Sequence, residues 1–207
     1  MISAPPVAPA VQRAGYHVHD GFYLRLAAGI GGGHVNVSAD GAGSSDFKIG
    51  GPGLALNLWI GGTPWRGVAL GGMVGLQGMG DGNAVVNGSE THQDMSGGLF
   101  YLGPFIDAFP DPLRGLHVGG SLGLVGFAAK GSGNVLESRY NARDYQAGGL
   151  GASAWVGYMG WVGPEFSLGG MLQLTAFGTG KDKDDNANVE RKAGGYAINL
   201  SFTALYH

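Results

Sequence analysis

Eight stretches of about ten residues alternate apolar positions with small or polar ones. In the first, Phe22, Leu24, Leu26, Ala28 and Ile30 share one face of an extended chain, and Tyr23, Arg25, Ala27, Gly29 and Gly31 share the other. Side chains alternate across a strand, so a period of two predicts a sheet element with one wholly apolar face. The second face carries Gly, Ala and polar groups. A sheet that is small and polar on one side and uniformly apolar on the other suits a barrel whose outer solvent is lipid.

The pattern recurs to the end of the chain. Leu54, Leu56, Leu58 and Ile60 oppose Ala55, Asn57 and Trp59; Val68, Leu70, Val74 and Leu76 oppose Ala69, Met73 and Gln77. In the fourth stretch Phe100, Leu102, Pro104 and Ile106 are assigned outward, which sets Asp107 inside. Leu116, Val118, Leu122 and Leu124 oppose His117 and Ser121; Leu150, Ala152, Ala154 and Val156 oppose Ser153 and Trp155. Phe166, Leu168, Leu172 and Leu174 oppose Met171 and Gln173, and Ile198, Leu200, Phe202, Ala204 and Tyr206 close the series. Short polar connections near 61–66, 110–114 and 160–165 alternate with long ones near 32–51, 78–96, 129–144 and 178–192. The prediction is an all-β, eight-stranded antiparallel up-and-down transmembrane barrel over 21–207, preceded by an Ala/Pro-rich tail over 1–20. Both termini lie at the short-turn end, and strands of 9–11 residues suffice to cross a bilayer. Aromatics gather near the strand ends. Phe22, Trp65, Trp161, Phe166 and Tyr206 are expected to form a belt on the short-turn side. Phe47, Phe100, Phe127, Tyr145, Phe177 and Tyr196 are expected to form one on the loop side.

Composition sharpens this picture. Gly contributes 43 of 207 residues, about three times its ordinary share of ~7%. Gly weakens a soluble strand, but it suits the inward positions of a narrow barrel. The net charge of −3 supplies no basic field for nucleic acid. Cysteine is absent, which removes disulfides, thiol catalysis and Cys-based metal sites. No apolar run is long enough for a transmembrane helix. Residues 1–20 lack a basic region followed by an apolar core, so the secretory leader that an outer-membrane barrel requires is expected to have been removed or to lie upstream.

The segments HVHDGFYLR (17–25), GGSLGL (119–124) and NLSFTALYH (199–207) resemble landmarks of the small outer-membrane barrels of Gram-negative bacteria, the OmpA/OmpX-like type. The resemblance runs from about residue 17 onward. It implies a monomer in the outer membrane, in contact with its lipid and lipopolysaccharide. It also implies a last strand read by the barrel assembly machinery through a terminal aromatic, here Tyr206 followed by His207.

Candidate chemistry is sparse. Residues 119–123 match G-x-S-x-G, but no helix follows to form the strained turn that motif needs, so Ser121 reads as a packed lumen residue. His17, His19 and Asp20 have metal-ligand spacing but precede the barrel in what reads as a mobile tail. Asp182, Asp184 and Asn186 imitate the start of a calcium loop, yet Ala187 and Ala193 stand where Gly and Glu are required. No cofactor or metal is expected. Arg25 and Asp107 are charges inside otherwise uncharged strands, and an unpaired buried charge is costly. They are expected to meet across the lumen, with His117 and Glu165 nearby, as a polar plug. Tyr23, Asn57, Trp59, Gln77, Ser121, Ser153, Trp155 and Gln173 are expected to line and fill the lumen. The function expected is non-enzymatic, carried by polar surface loops that contact the envelope or another cell. A narrow pore past the polar lumen residues is the alternative, and a lipid-modifying enzyme built on Ser and His is the third reading.

Overall fold

A computed structural model describes residues 17–19, 21–40, 47–86, 89–131, 144–180, 182–184 and 189–207. The strands are β1 (Gly21–Asp40), β2 (Phe47–Trp65), β3 (Val68–Val86), β4 (Ser89–Ala108), β5 (Leu116–Gly131), β6 (Asp144–Trp161), β7 (Phe166–Thr179), β8 (Asp182–Asp184) and β9 (Val189–Tyr206). Every pairing is antiparallel between sequence neighbours, and β1 pairs with β9 from Leu24↔Tyr206 to Asp40↔Glu190, which closes an eight-stranded barrel. The three-residue β8 continues β7 along the edge of β9, pairing Asp182–Asp184 with Val189–Arg191. Among the described residues there is no helix.

The two faces follow the period of two. Leu26, Ile30, Leu54, Leu122, Leu150 and Leu200 stand exposed on the outer wall, while Tyr23, Arg25, Trp59, Met73 and Met171 are buried in the lumen. An uninterrupted apolar wall of this kind is stable only against hydrocarbon. The outward assignment of Phe100, Leu102 and Ile106 agrees with their exposure, and Asp107 faces inward.

The strands are longer than a bilayer needs. Much of 32–51 and 78–96, which the sequence suggests as loop, is ladder: Gly32–Val37 pair with 47–52, and Val86 with Ser89. In this extension the polarity of the sheet reverses. Val35, Val37, Ile49, Ala129 and Ala193 are buried, while Asn36, Ser38, Lys48 and Lys192 are exposed. Outward glycines mark the changeover, among them Gly32, Gly78, Gly98, Gly126, Gly148, Gly178 and Gly194. Below that level the barrel is apolar outside and polar inside; above it the arrangement is that of a water-soluble sheet.

The belts need correction. Phe22, Trp65, Phe166 and Tyr206 are exposed on the short-turn side, and Phe100 and Tyr196 on the far side. Trp161, Phe127 and Phe177 are not in a lipid-facing belt. Each has the parity of the inner face, Phe127 and Phe177 meet inside with ring centroids 5.8 Å apart, and Trp161 packs under the short-turn mouth. Height along the strand locates a belt residue only if its face is right as well. The side chains of Phe47 and Tyr145 lie outside the described residues.

Candidate functional site: a charged hub across the lumen

Near the short-turn end the lumen is crossed by one carboxylate and its donors. Asp107 on β4 has no solvent exposure. Its Oδ2 accepts from the Tyr23 hydroxyl at 2.6 Å and from Arg25 Nη1 at 2.8 Å. Its Oδ1 accepts from Trp155 Nε1 at 2.9 Å, and His117 Nδ1, 3.1 Å from Oδ1 and 3.0 Å from Arg25 Nη1, donates to it in the Nδ1–H tautomer. Four donors occupy the four lone-pair positions that a carboxylate offers. They come from β1, β5 and β6, so the hub ties both walls of the barrel together. The Arg25 guanidinium also lies 4.0 Å from the Trp59 ring centroid and 5.2 Å from that of Trp155, which provides cation–π stabilisation in place of water.

Glu165 is not part of this hub. It is exposed on the turn between β6 and β7, and its carboxylate accepts from the Tyr206 hydroxyl at 2.9 Å on the outer surface. A turn residue beyond the last ladder pair is free to face solvent, and a lone carboxylate prefers water to the lumen.

A neutral polar layer lies above the hub. Asn57 Nδ2 donates to Gln173 Oε1 at 3.1 Å, Gln173 Nε2 donates to Ser153 at 2.8 Å, and Asn199 Nδ2 donates to Gln77 Oε1 at 2.8 Å. The space between Asn57, Met73, Gln77, Tyr101, Gln173 and Asn199 is a cavity of about 10 Å³, room for about one water molecule. Above it the lumen is filled by Val35, Ile49, Met79, Leu99, Phe127 and Phe177.

Ser121 has a structural partner set. It accepts from Tyr101 Oη at 2.9 Å and donates to the Pro104 carbonyl at 2.7 Å. Pro104 has no N–H to give the ladder, and the pairing of β4 with β5 skips from Leu102↔Leu124 to Phe105↔Ser121. The Ser121 hydroxyl serves the carbonyl beside that interruption. Asp107 and His117 have the carboxylate–imidazole half of a nucleophile-activating relay. His117 Nε2, the atom that would take a proton from a nucleophile, has no hydrogen-bond partner and abuts Gly157 so closely that a Cβ there would collide with it.

The end of the tail is the element that the sequence does not reveal. His19 is fully buried in the short-turn mouth instead of mobile. Its amide donates to the Pro112 carbonyl at 3.1 Å, and its own carbonyl accepts from Gly67 at 3.0 Å. Its ring stacks on Phe109 at 3.7 Å and Trp161 at 4.7 Å, and Phe109 stacks on His117 beyond. His17 stacks on Trp161 at 5.3 Å. His17 and His19 are therefore held by rings, and among the described residues no group of three potential ligands is placed to hold a metal ion. Asp20 and Asn186, and the side chains of Asp182 and Asp184, lie outside the described residues.

No family model matches the sequence, and no curated protein does. Solved structures superpose on it, OprG with a TM-score above 0.5. The outer membrane protein OprG from Pseudomonas aeruginosa superposes with a TM-score of 0.51 at 11% identity, covering 93% of this chain and 99% of its own. Ail, the attachment invasion locus protein of Yersinia pestis, gives 0.45 at 14% identity, covering 88% and 99%. The outer membrane protease OmpT from Escherichia coli gives 0.45 at 11% identity, covering 91% and 97%. The chain has the fold of the small eight-stranded outer-membrane barrels, and its lipid-facing wall is the surface that such a location demands.

Proposed function

We propose that this protein is a monomeric, non-enzymatic outer-membrane barrel with a closed lumen, whose working surface is the polar ladder and connections at its far end. The observation that carries this reading is the Asp107 hub: groups from three strands converge on one carboxylate across the lumen. The polar residues above it bond to one another around a space of about 10 Å³, which supports a filled lumen over a narrow pore. Lipid and lipopolysaccharide contact the wall, Tyr206 on the outer face of β9 supplies the aromatic for assembly, and the far end meets envelope sugars or another cell. The enzymatic reading lacks a nucleophile at His117, and Ser121 is engaged in the wall.

Conductance of the refolded protein in planar lipid bilayers tests the closed lumen. Silence is expected from the wild type, and also from Asp107→Ala, because the bonded polar layer and the apolar core above the hub remain in place. Discrete wild-type openings would replace this reading with that of a narrow pore. For the surface role, excision of 132–143 should leave folding intact and abolish binding to lipopolysaccharide vesicles or host cells; loss of folding would count against it.

A further inference from the structure

Two buried histidines from the extremes of the described chain meet under the mouth of the barrel. His19 Nδ1 and His207 Nε2 are 2.6 Å apart. His207 is held by its own amide, which donates to the Glu165 carbonyl at 3.0 Å, and its ring meets Phe109 and Tyr23 edge-on. An imidazole–imidazole bond needs one N–H and one lone pair. A proton added at the acceptor nitrogen turns it into a donor facing a donor, and protonation of both rings sets two like charges at contact distance in a site walled by Phe109 and Trp161. We propose that the His19–His207 bond is a proton-operated latch that holds the segment 17–19 across the short-turn mouth at neutral pH and releases it in acid.

The surrounding charges favour this direction. His117 faces His19 from β5 through Phe109, Asp107 stands behind it on β4, and Arg25 on β1 neutralises Asp107. Glu165 contributes its backbone carbonyl, its carboxylate being turned outward to Tyr206. Burial, then His207 and His117, lower the His19 pKa to about 3, against weaker raising by the Arg114 backbone and Asp107. Burial lowers that of His207 to about 4, with Asp107 acting the other way. Both rings are thus neutral when latched at pH 7. Once released they regain ordinary pKa values near 6.5, so the released form binds more protons between about pH 6.5 and 4. Release should therefore grow by about tenfold per pH unit for one proton, approaching about a hundredfold for two.

Amide hydrogen exchange of the protein refolded in lipid vesicles reads this directly. The reporters are the His19 and Gly67 amides, bonded to Pro112 and His19, and the control is the β1–β9 ladder. Protection factors corrected for intrinsic rate should fall by at least tenfold per unit for both reporters between pH 6.5 and 4.5, while the ladder is unchanged. Equal protection at the two pH values would overturn the proposal. In His19→Gln/His207→Gln, which keeps a donor and an acceptor without titrating, the fall should vanish. If that variant is unprotected even at pH 7, His117→Gln decides: a persisting fall supports the latch, and its loss would assign the proton response to the Asp107 hub and overturn it.

Discussion

Removing the carboxylate of Asp107 should cost this barrel more than any other single charge deletion in its spanning strands. In Asp107→Ala the Arg25 guanidinium stays fully buried with no anion, since Nη1 was its hydrogen-bonding atom to Asp107 while Nε and Nη2 have no partner. The Tyr23 hydroxyl, Trp155 Nε1 and His117 Nδ1 lose the acceptor they share. Breaking a buried ion pair from one side costs about 3–5 kcal/mol, and each orphaned neutral donor adds about 1–3 kcal/mol before relaxation. A loss of about 4 kcal/mol or more is expected by guanidinium unfolding in lipid vesicles, followed by tryptophan emission, because Trp59 and Trp155 flank the guanidinium. Arg25→Met/Asp107→Leu removes both charges and should be more stable than either Asp107→Leu or Arg25→Met, with a coupling of at least about 2 kcal/mol in that cycle. A cost below about 1 kcal/mol for Asp107→Ala, or strict additivity in the double variant, would refute the hub as the central interaction of the lumen.

Other expectations are equally specific. Leu122→Arg, on the lipid face, should destabilise the folded protein by about 2–4 kcal/mol in vesicles, whereas Ala128→Arg on the same face of β5, beyond Gly126, should cost about 0–1 kcal/mol; equal costs would remove the membrane boundary inferred there. Gly103→Ala would push a Cβ against the Leu122 carbonyl and within 2.7 Å of the Gly123 Cα, so unfolding should shift by about 1–3 kcal/mol. Gly72→Ala meets nothing within 4 Å and should be neutral in the same assay. Ser121→Ala leaves Tyr101 and the Pro104 carbonyl without their partner, a loss of about 1–2 kcal/mol in stability.

The barrel is legible in the sequence because its signal is a period of two, and that period survives wherever Leu, Ile and Val can face lipid. The same rule gives the phase of β4: placing Ile106 outward turns Asp107 inward, and a buried Asp needs a cation, which Arg25 supplies from the opposite wall. His117 is legible beside them as a polar residue of inward phase, whereas Tyr23 and Trp155 are not legible as partners. Trp155 reaches Asp107 through the registers of β4 with β5 and β5 with β6, which no single strand reveals. The extended ladders were read as loops because their outer face is polar and Gly-rich, the composition of a turn, although Val35, Val37 and Ile49 alternate there with reversed polarity. His19 was hidden for a different reason. Its anchors, Phe109, Trp161 and His207, come from three distant elements, and nothing local in an Ala/Pro-rich tail signals its burial.

One sheet here meets two opposite burial problems, and the pattern of inner residues follows from that. Within the bilayer the wall is held by lipid, so polar groups stand in the lumen, where a bond to a neighbouring side chain replaces one to water. The bonded pairs Asn199–Gln77 and Asn57–Gln173 answer that need, as do the donors gathered on Asp107 at the level of the charges. Beyond the glycine level the outer wall meets water and the lumen becomes an ordinary apolar core of Val35, Val37, Ile49, Phe127 and Phe177. This core gives the strands a reason to continue as a stem past the level at which the outer wall stops being apolar. A barrel that only filled the membrane would need none of that stem, and the buried surface above the glycines supports the working surface proposed for the far end.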